Sequence, residues 1–161
     1  EEAVNRLNRV MVDGIEVLSF RQVPQDKANK AMSLVAAADY FVSYRDGKSP
    51  CRDWQEKLLE FYSQKQIVIV KKTKKSEKEM GIRPYIYKLE QKDDGIFMQL
   101  CAGSVTNIKP ELVMEAFTQW LHVEQQPFSL LVHRMEMYAD VGTEEKRQFV
   151  SLEDLGEEIA E

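Results

Sequence analysis

Residues 82–101, IRPYIYKLEQKDDGIFMQLC, read as a β-hairpin. Tyr85, Tyr87 and Leu89 alternate at the strand period over residues 82–91, Asp93-Asp94-Gly95 supplies the turn, and Ile96-Phe97-Met98-Gln99-Leu100-Cys101 runs back. Two strands alone are marginal in water, so the hairpin must bury a face against more of the chain.

Working outward, the flanks supply that partner. Upstream, Tyr40-Phe41-Val42-Ser43-Tyr44 reads as a strand closed by Asp46-Gly47. Ser49-Pro50 then opens a helix, a hydroxyl N-cap followed by proline at the first helical position. Trp54, Leu58, Phe61 and Tyr62 line one side of it, with Arg52, Glu56, Lys57 and Glu60 on the other. Ile67-Val68-Ile69-Val70 follows as a continuous apolar strand, the pattern of burial on both faces. Downstream, Pro110 starts a helix with Leu112, Val113, Ala116, Phe117, Trp120 and Leu121 directed inward, and Pro127 separates it from a strand over residues 129–138. This order predicts an α+β fold, a ferredoxin-like β-α-β-β-α-β sandwich with two helices on one face of an antiparallel sheet.

That domain is expected to fill residues 25–151, opening with a short amphipathic helix over residues 26–36. Ahead of it, Val4, Leu7 and Met11 space a helix, Asp13-Gly14 ends it, and residues 15–20 read as a strand. Residues 1–24 are therefore expected to be a helix-strand remnant of a preceding similar unit, in a chain cut from a larger protein. The order helix, turn, strand recurs over residues 112–136. Residues 147–151 are expected to pair back on the last long strand, and residues 152–161 to form a frayed acidic tail behind the capping box Ser151-Leu152-Glu153-Asp154.

Composition narrows the function classes. The 161 residues are 43% hydrophobic and 30% charged, the balance of an ordinary globular chain. Their longest apolar runs are far too short to cross a bilayer, and no signal peptide precedes the first helix, so no membrane partner is expected. Cys51 and Cys101, fifty residues apart, make neither a disulfide framework nor a metal spacing; free thiols point to a reducing cytoplasm. From Asp140 onward eight acidic residues face two basic ones, a net of −6, so the body carries +1 of the total −5. The low pI therefore describes the tail and not the surface a partner of the body would meet.

Several residues are candidates for contact with an anion, RNA or a protein partner. Lys71, Lys72, Lys74 and Lys75 could touch RNA phosphates, with Tyr85 or Tyr87 as stacking surfaces; lysines also keep an edge strand from aggregating. Ser104, Asn107 and Lys109 lie just before a helix start, where free N–H groups favour an anion, although no GxxxxGK[ST] spacing is present. Arg83 and Arg134 could grip a phosphate or carboxylate, and Arg134 is expected to share a strand face, and an ion pair, with Glu136. His122 and His133 have no carboxylate or cysteine at ligand spacing, and the seven methionines are scattered as core filling. No catalytic residue, metal ligand or cofactor is expected, and an enzyme ranks low.

In order, Leu7-Asn8 before Gly14-Ile15-Glu16-Val17-Leu18, Ala37-Ala38-Asp39-Tyr40, Gly81-Ile82-Arg83-Pro84, Ala102-Gly103-Ser104 with Asn107, Pro110-Glu111-Leu112 and His133-Arg134-Met135-Glu136-Met137-Tyr138 resemble the uncharacterised bacterial radical SAM-associated family. The likeness covers most of residues 1–151. It implies a protein encoded beside, or fused to, a radical SAM protein. Family members carry an N-terminal stretch with a His-Leu-Asp segment and a Pro-His-Pro-like segment that this chain lacks, and tend to have aspartate where Gly81 stands. No CxxxCxxC is present, so the chain is not itself the radical enzyme. The resemblance implies an accessory domain that docks a radical SAM enzyme or presents its substrate. An RNA-binding module for tRNA or rRNA modification is the alternative.

Overall fold

The computed structural model describes residues 1–22, 31–72, 77–143 and 145–158. Its elements are α1 (Glu2–Asn8), β1 (Val35–Tyr44), α2 (Trp54–Tyr62), β2 (Val68–Lys72), β3 (Glu77–Gly81), β4 (Ile86–Lys92), β5 (Gly95–Cys101), α3 (Pro110–Trp120), β6 (Leu130–Asp140) and β7 (Phe149–Ser151). The class is α+β: among the described residues, three helices accompany an antiparallel sheet in the order β4-β5-β1-β6-β7, while β2 and β3 form a separate two-stranded hairpin.

One sheet face carries the core. Tyr40, Val42 and Tyr44 from β1, Ile96, Met98 and Leu100 from β5, and Ile86 and Leu89 from β4 meet Trp54, Leu58 and Phe61 of α2 and Val113, Met114, Ala116 and Phe117 of α3. The rings of Phe61 and Phe117 lie 5.8 Å apart and join the two helices. Each fully buried Val, Leu, Ile, Phe or Met among them contributes about 1.5–3 kcal/mol, so this layer dominates stability. α3 ends in two backbone bonds, His122 N–H to Gln119 O and Val123 N–H to Thr118 O, with His122 at φ 58 in the place glycine commonly takes.

Several expectations shift by a few residues for physical reasons. α2 begins at Trp54, not Pro50: residues 50–53 form a bend and turn first, and Asp53 stands at the N-cap without a side-chain capping bond. Residues 82–85 form a tight turn containing a short 3-10 helix (Arg83–Tyr85), so β4 begins only at Ile86. Val35 and Ala36 open β1 instead of closing a helix; residues 26–30 lie outside the described residues, and Ala31–Leu34 is a 3-10 turn. The apolar run at residues 67–70 is buried on one side only: Ile67 and Ile69 face the core, whereas Val68 and Val70 are 50% and 48% exposed. That strand leaves the main sheet and pairs with β3, so only one of its faces finds a cover.

Residues 15–20 are not a strand. The Asn8 side chain instead clamps this segment, donating Nδ2 to Val17 O at 2.9 Å and accepting the Val17 N–H at 2.7 Å. Gln22 and Glu157 exchange two backbone bonds, and Arg21 meets Glu153 and Asp154 at 3.5 and 4.0 Å, so the first segment is tied to the acidic end. β7 pairs with β6, as expected of residues 147–151.

Two features shape the other sheet face. β6 carries a bulge at Met135: Glu136 opposes Asp39 while Arg134 opposes Tyr40. Two residues that would share a face on a regular strand therefore lie on opposite faces. Arg134 and Glu111 of α3 both lie near Tyr40, and Glu136 faces away from the helices. The sheet also curls until its edges meet, with Tyr87 of β4 5.1 Å from Phe149 of β7 and Arg147 above the Tyr87 ring at 5.2 Å.

Candidate functional site

The face that α2 and α3 do not cover is built in rows across the strands. Cys101, Ala37 and Tyr138 are neighbours in one row; Lys88, Gln99, Asp39 and Glu136 make the next; Glu90, Phe97, Phe41 and His133 the third. The curl closes the first row beneath Tyr87 and Phe149 and leaves the others as a trough.

Asp39 is the anchor of that trough. Its carboxylate is 8% exposed and accepts Gln99 Nε2 at 2.9 Å and the Tyr138 hydroxyl at 2.7 Å. A buried charge needs such donors. Burial, followed by the bond to Asp39, pushes the Tyr138 phenol up to about 12. Burial and then the Cys101 thiol push Tyr87 above the ordinary phenol range. The buried Cys101 is a free thiol whose Sγ also donates to Thr106 O at 3.1 Å.

In the third row the two central strands present Phe41 and Phe97 directly opposite one another, both half-buried. Gly95 makes room for the first ring: a Cβ there would stand 2.5 Å from Phe41 Cζ and 2.6 Å from Val42 O. Lys88 lies 5.5 Å above the Phe97 ring and pairs with Glu90 at 3.0 Å.

A second surface lies at the far end of α3. Phe128 is 91% exposed and sits at φ 54, a conformation a bulky residue rarely adopts. A buried polar chain holds the loop: Thr118 Oγ1 donates to Gln125 Oε1 and Gln125 Nε2 to Ser129 Oγ, each at 3.2 Å, with Thr118 and Ser129 both buried. Beside it a groove of about 510 Å³ runs between Glu111 and Glu115 on α3 and Leu130 and Val132 on β6. β7 pairs with β6 only over Tyr138–Asp140, and Leu152 N–H reaches Met137 O, so among the described residues the outer edge of β6 from Leu130 to Glu136 has no partner strand.

The residues singled out in the sequence do not converge. Lys71 and Lys72 end β2, and Lys74 and Lys75 lie outside the described residues. Arg83 is engaged locally, its Nε donating to Tyr62 O at 3.0 Å and its guanidinium 4.0 Å above the Tyr62 ring. Ser104 and Asn107 are exposed in a turn closed by the Ala102–Asn107 bridge, and Lys109 is the N-cap of α3. Arg134 is exposed on the helix-facing side. Tyr87, expected as a stacking surface, is occupied by Phe149 and Arg147. Sequence reading missed Phe41, Phe97, Asp39 and Phe128; Gly95 across from an aromatic strand, and an aromatic just after Pro127, were the signals that the sequence carried.

Among the described residues no group of three or more His, Cys, Asp and Glu is placed to hold a metal, and no helix is long and apolar enough to cross a membrane. The fold and its two surfaces define a small α+β domain with one helix-covered sheet face and one exposed trough. The chain belongs to the DUF2344 family, described as uncharacterised protein conserved in bacteria, whose model matches residues 1–110. Neither the curated proteins nor the solved structures gave a match.

Proposed function

We propose that this chain is an accessory domain that works with a radical SAM enzyme, docking it or presenting its substrate, and has no catalytic centre of its own. The radical SAM association comes from the sequence resemblance. The Phe128 corner is the observation that carries a docking role: an aromatic ring held out to solvent in a costly conformation, on a loop fixed by buried hydrogen bonds. Preorganised aromatics of this kind dominate binding energies at interfaces. The adjacent free edge of β6 offers backbone groups to an extended segment of the partner. Co-purification of the full-length protein with the neighbouring radical SAM protein tests the reading. Capture that Phe128→Ala weakens supports it, and no capture by the intact protein overturns it.

The order β4-β5-β1-β6 with two helices on one face supports a ferredoxin-like unit within residues 25–151. A cytoplasmic site fits the two free thiols. The second reading, an RNA-binding module in tRNA or rRNA modification, rests on the lysine run and on the aromatic pair of the trough. A salt-dependent gel shift, lost on charge reversal of Lys72, Lys74 and Lys75, tests the lysine part.

A further inference from the structure

We propose that the groove between α3 and the outer edge of β6 takes an extended segment of a partner protein as an added strand, one carrying two basic side chains two residues apart. This rests on the docking reading and names the chemistry of the segment that docks. Backbone groups along the β6 edge from Leu130 to Glu136 meet no partner strand among the described residues, and such an edge pairs readily with another chain. Leu130-Leu131-Val132 carries neither a charge nor a proline, two of the devices that protect an exposed edge. α3 runs alongside this edge and antiparallel to it. Glu111, near its start, and Arg134 both lie near Tyr40, whereas Thr118, near its end, bonds through Gln125 to Ser129.

Charge decides what the groove accepts. Of the residues that line it, the two that carry charge are both acidic, Glu111 and Glu115, and Leu130 and Val132 supply an apolar wall. Both carboxylates are exposed, and among the described residues neither joins an ion pair; Glu115 accepts a long bond from Gln119 Nε2 at 3.5 Å. Four residues of helix advance about 6 Å and two residues of strand about 6.7 Å, so the two acids stand at the spacing of alternate side chains on a strand laid alongside. Leu130, Val132 and Arg134 share the helix-facing side of β6, opposite Tyr44, Val42 and Tyr40. Two basic side chains of an added strand, placed across Leu130 and Val132, rest their apolar stems there and bring their charges to the two acids. A third would meet Arg134, so the basic run stops at two. Side chains between them fall on the open face beside Leu131, itself 45% exposed, which favours apolar ones. A second copy of β6 on the same edge would bring a single basic residue, Arg134, to this side, and so fits a pair of acids less well.

The test uses the full chain and a capped, fluorescein-labelled peptide of seven residues, read by anisotropy. Lysine stands at its third and fifth positions, valine at its second, fourth and sixth, and threonine at both ends. A control of the same composition has its lysines adjacent, which sends them to opposite faces of a strand. The expected result is binding of the first peptide, about fivefold weaker for the control and about fivefold weaker for the protein carrying both Glu111→Gln and Glu115→Gln. Both substitutions are on exposed positions, and melting curves confirm that the fold is kept. N-methylation of alternate peptide residues, tried in both registers, should abolish binding in one of them, because half of the N–H groups face the edge. Equal binding of the control peptide, or no effect of the two glutamine substitutions, overturns the proposal in favour of general charge attraction. Indifference to N-methylation in both registers overturns the added strand. Sedimentation as a dimer that the peptide cannot dissociate assigns the edge to a second copy and also overturns it. No peptide binding, with capture of the radical SAM protein intact, overturns the groove and keeps the docking reading. Peptide binding in the expected pattern without that capture supports the groove and overturns the docking reading.

Discussion

Replacing Tyr138 with phenylalanine removes one hydroxyl and changes almost nothing in shape. The hydroxyl donates to Asp39 Oδ2 at 2.7 Å, on a carboxylate only 8% exposed, while Gln99 keeps the other oxygen bonded at 2.9 Å. A hydrogen bond to a charged group contributes about 1.5–3 kcal/mol. Because Gln99 still satisfies half of the carboxylate, the expected loss is at the low end, about 1.5–2 kcal/mol. For a chain of this length that lowers Tm by about 3–8 °C. Urea unfolding at pH 7, followed by circular dichroism, should show a lower midpoint at unchanged m. In an Asp39→Asn background the acceptor is neutral, and the same substitution should cost about 0.5–1.5 kcal/mol. A loss below about 0.5 kcal/mol in the parent protein, or the same loss in both backgrounds, would refute the claim that the phenol stabilises a buried charge.

Other outcomes follow from the same geometry. Folded Tyr138 holds its proton up to about 12 against an ordinary 10.0, so its contribution is complete below pH 10 and lost as pH rises toward 12. Urea midpoints across that window should therefore fall less steeply in Tyr138→Phe than in the parent. Gly95→Ala places a methyl against Phe41 and the Val42 carbonyl and should destabilise by about 1–3 kcal/mol, with a changed Phe41 ring signal in NMR spectra. Phe117→Ala empties the contact between α2 and α3 and should cost about 3–5 kcal/mol in the same denaturation assay. Phe128→Ala, on a fully solvated ring, should leave the melting temperature within about a degree while weakening partner capture.

Much of the architecture was legible because apolar spacing is a local signal. The hairpin at residues 86–101, the inward faces of α2 and α3 and the return of β7 all follow from periodicity, turn residues and proline placement. What periodicity could not give was the partner of each strand. The run at residues 67–70 looks buried on both faces whether it joins the main sheet or a side hairpin, and only its neighbours decide. The exposed sheet face was hidden for a related reason. Phe41 and Phe97 are ordinary strand residues until the register sets them opposite one another, and Asp39 looks like a surface acid until Gln99 and Tyr138 reach it from two other strands.

The extra residue at Met135 has a consequence for comparing this chain with its relatives. Odd and even positions exchange sides there, so a relative one residue shorter at that point would keep both halves of the strand properly oriented only by surrendering the kink. A deletion of Arg134 that kept the kink would instead send Val132 and His133 each to the wrong side. Alignments of this segment should therefore place any gap at Met135, and parity counted through it from one end assigns half the strand to the wrong side.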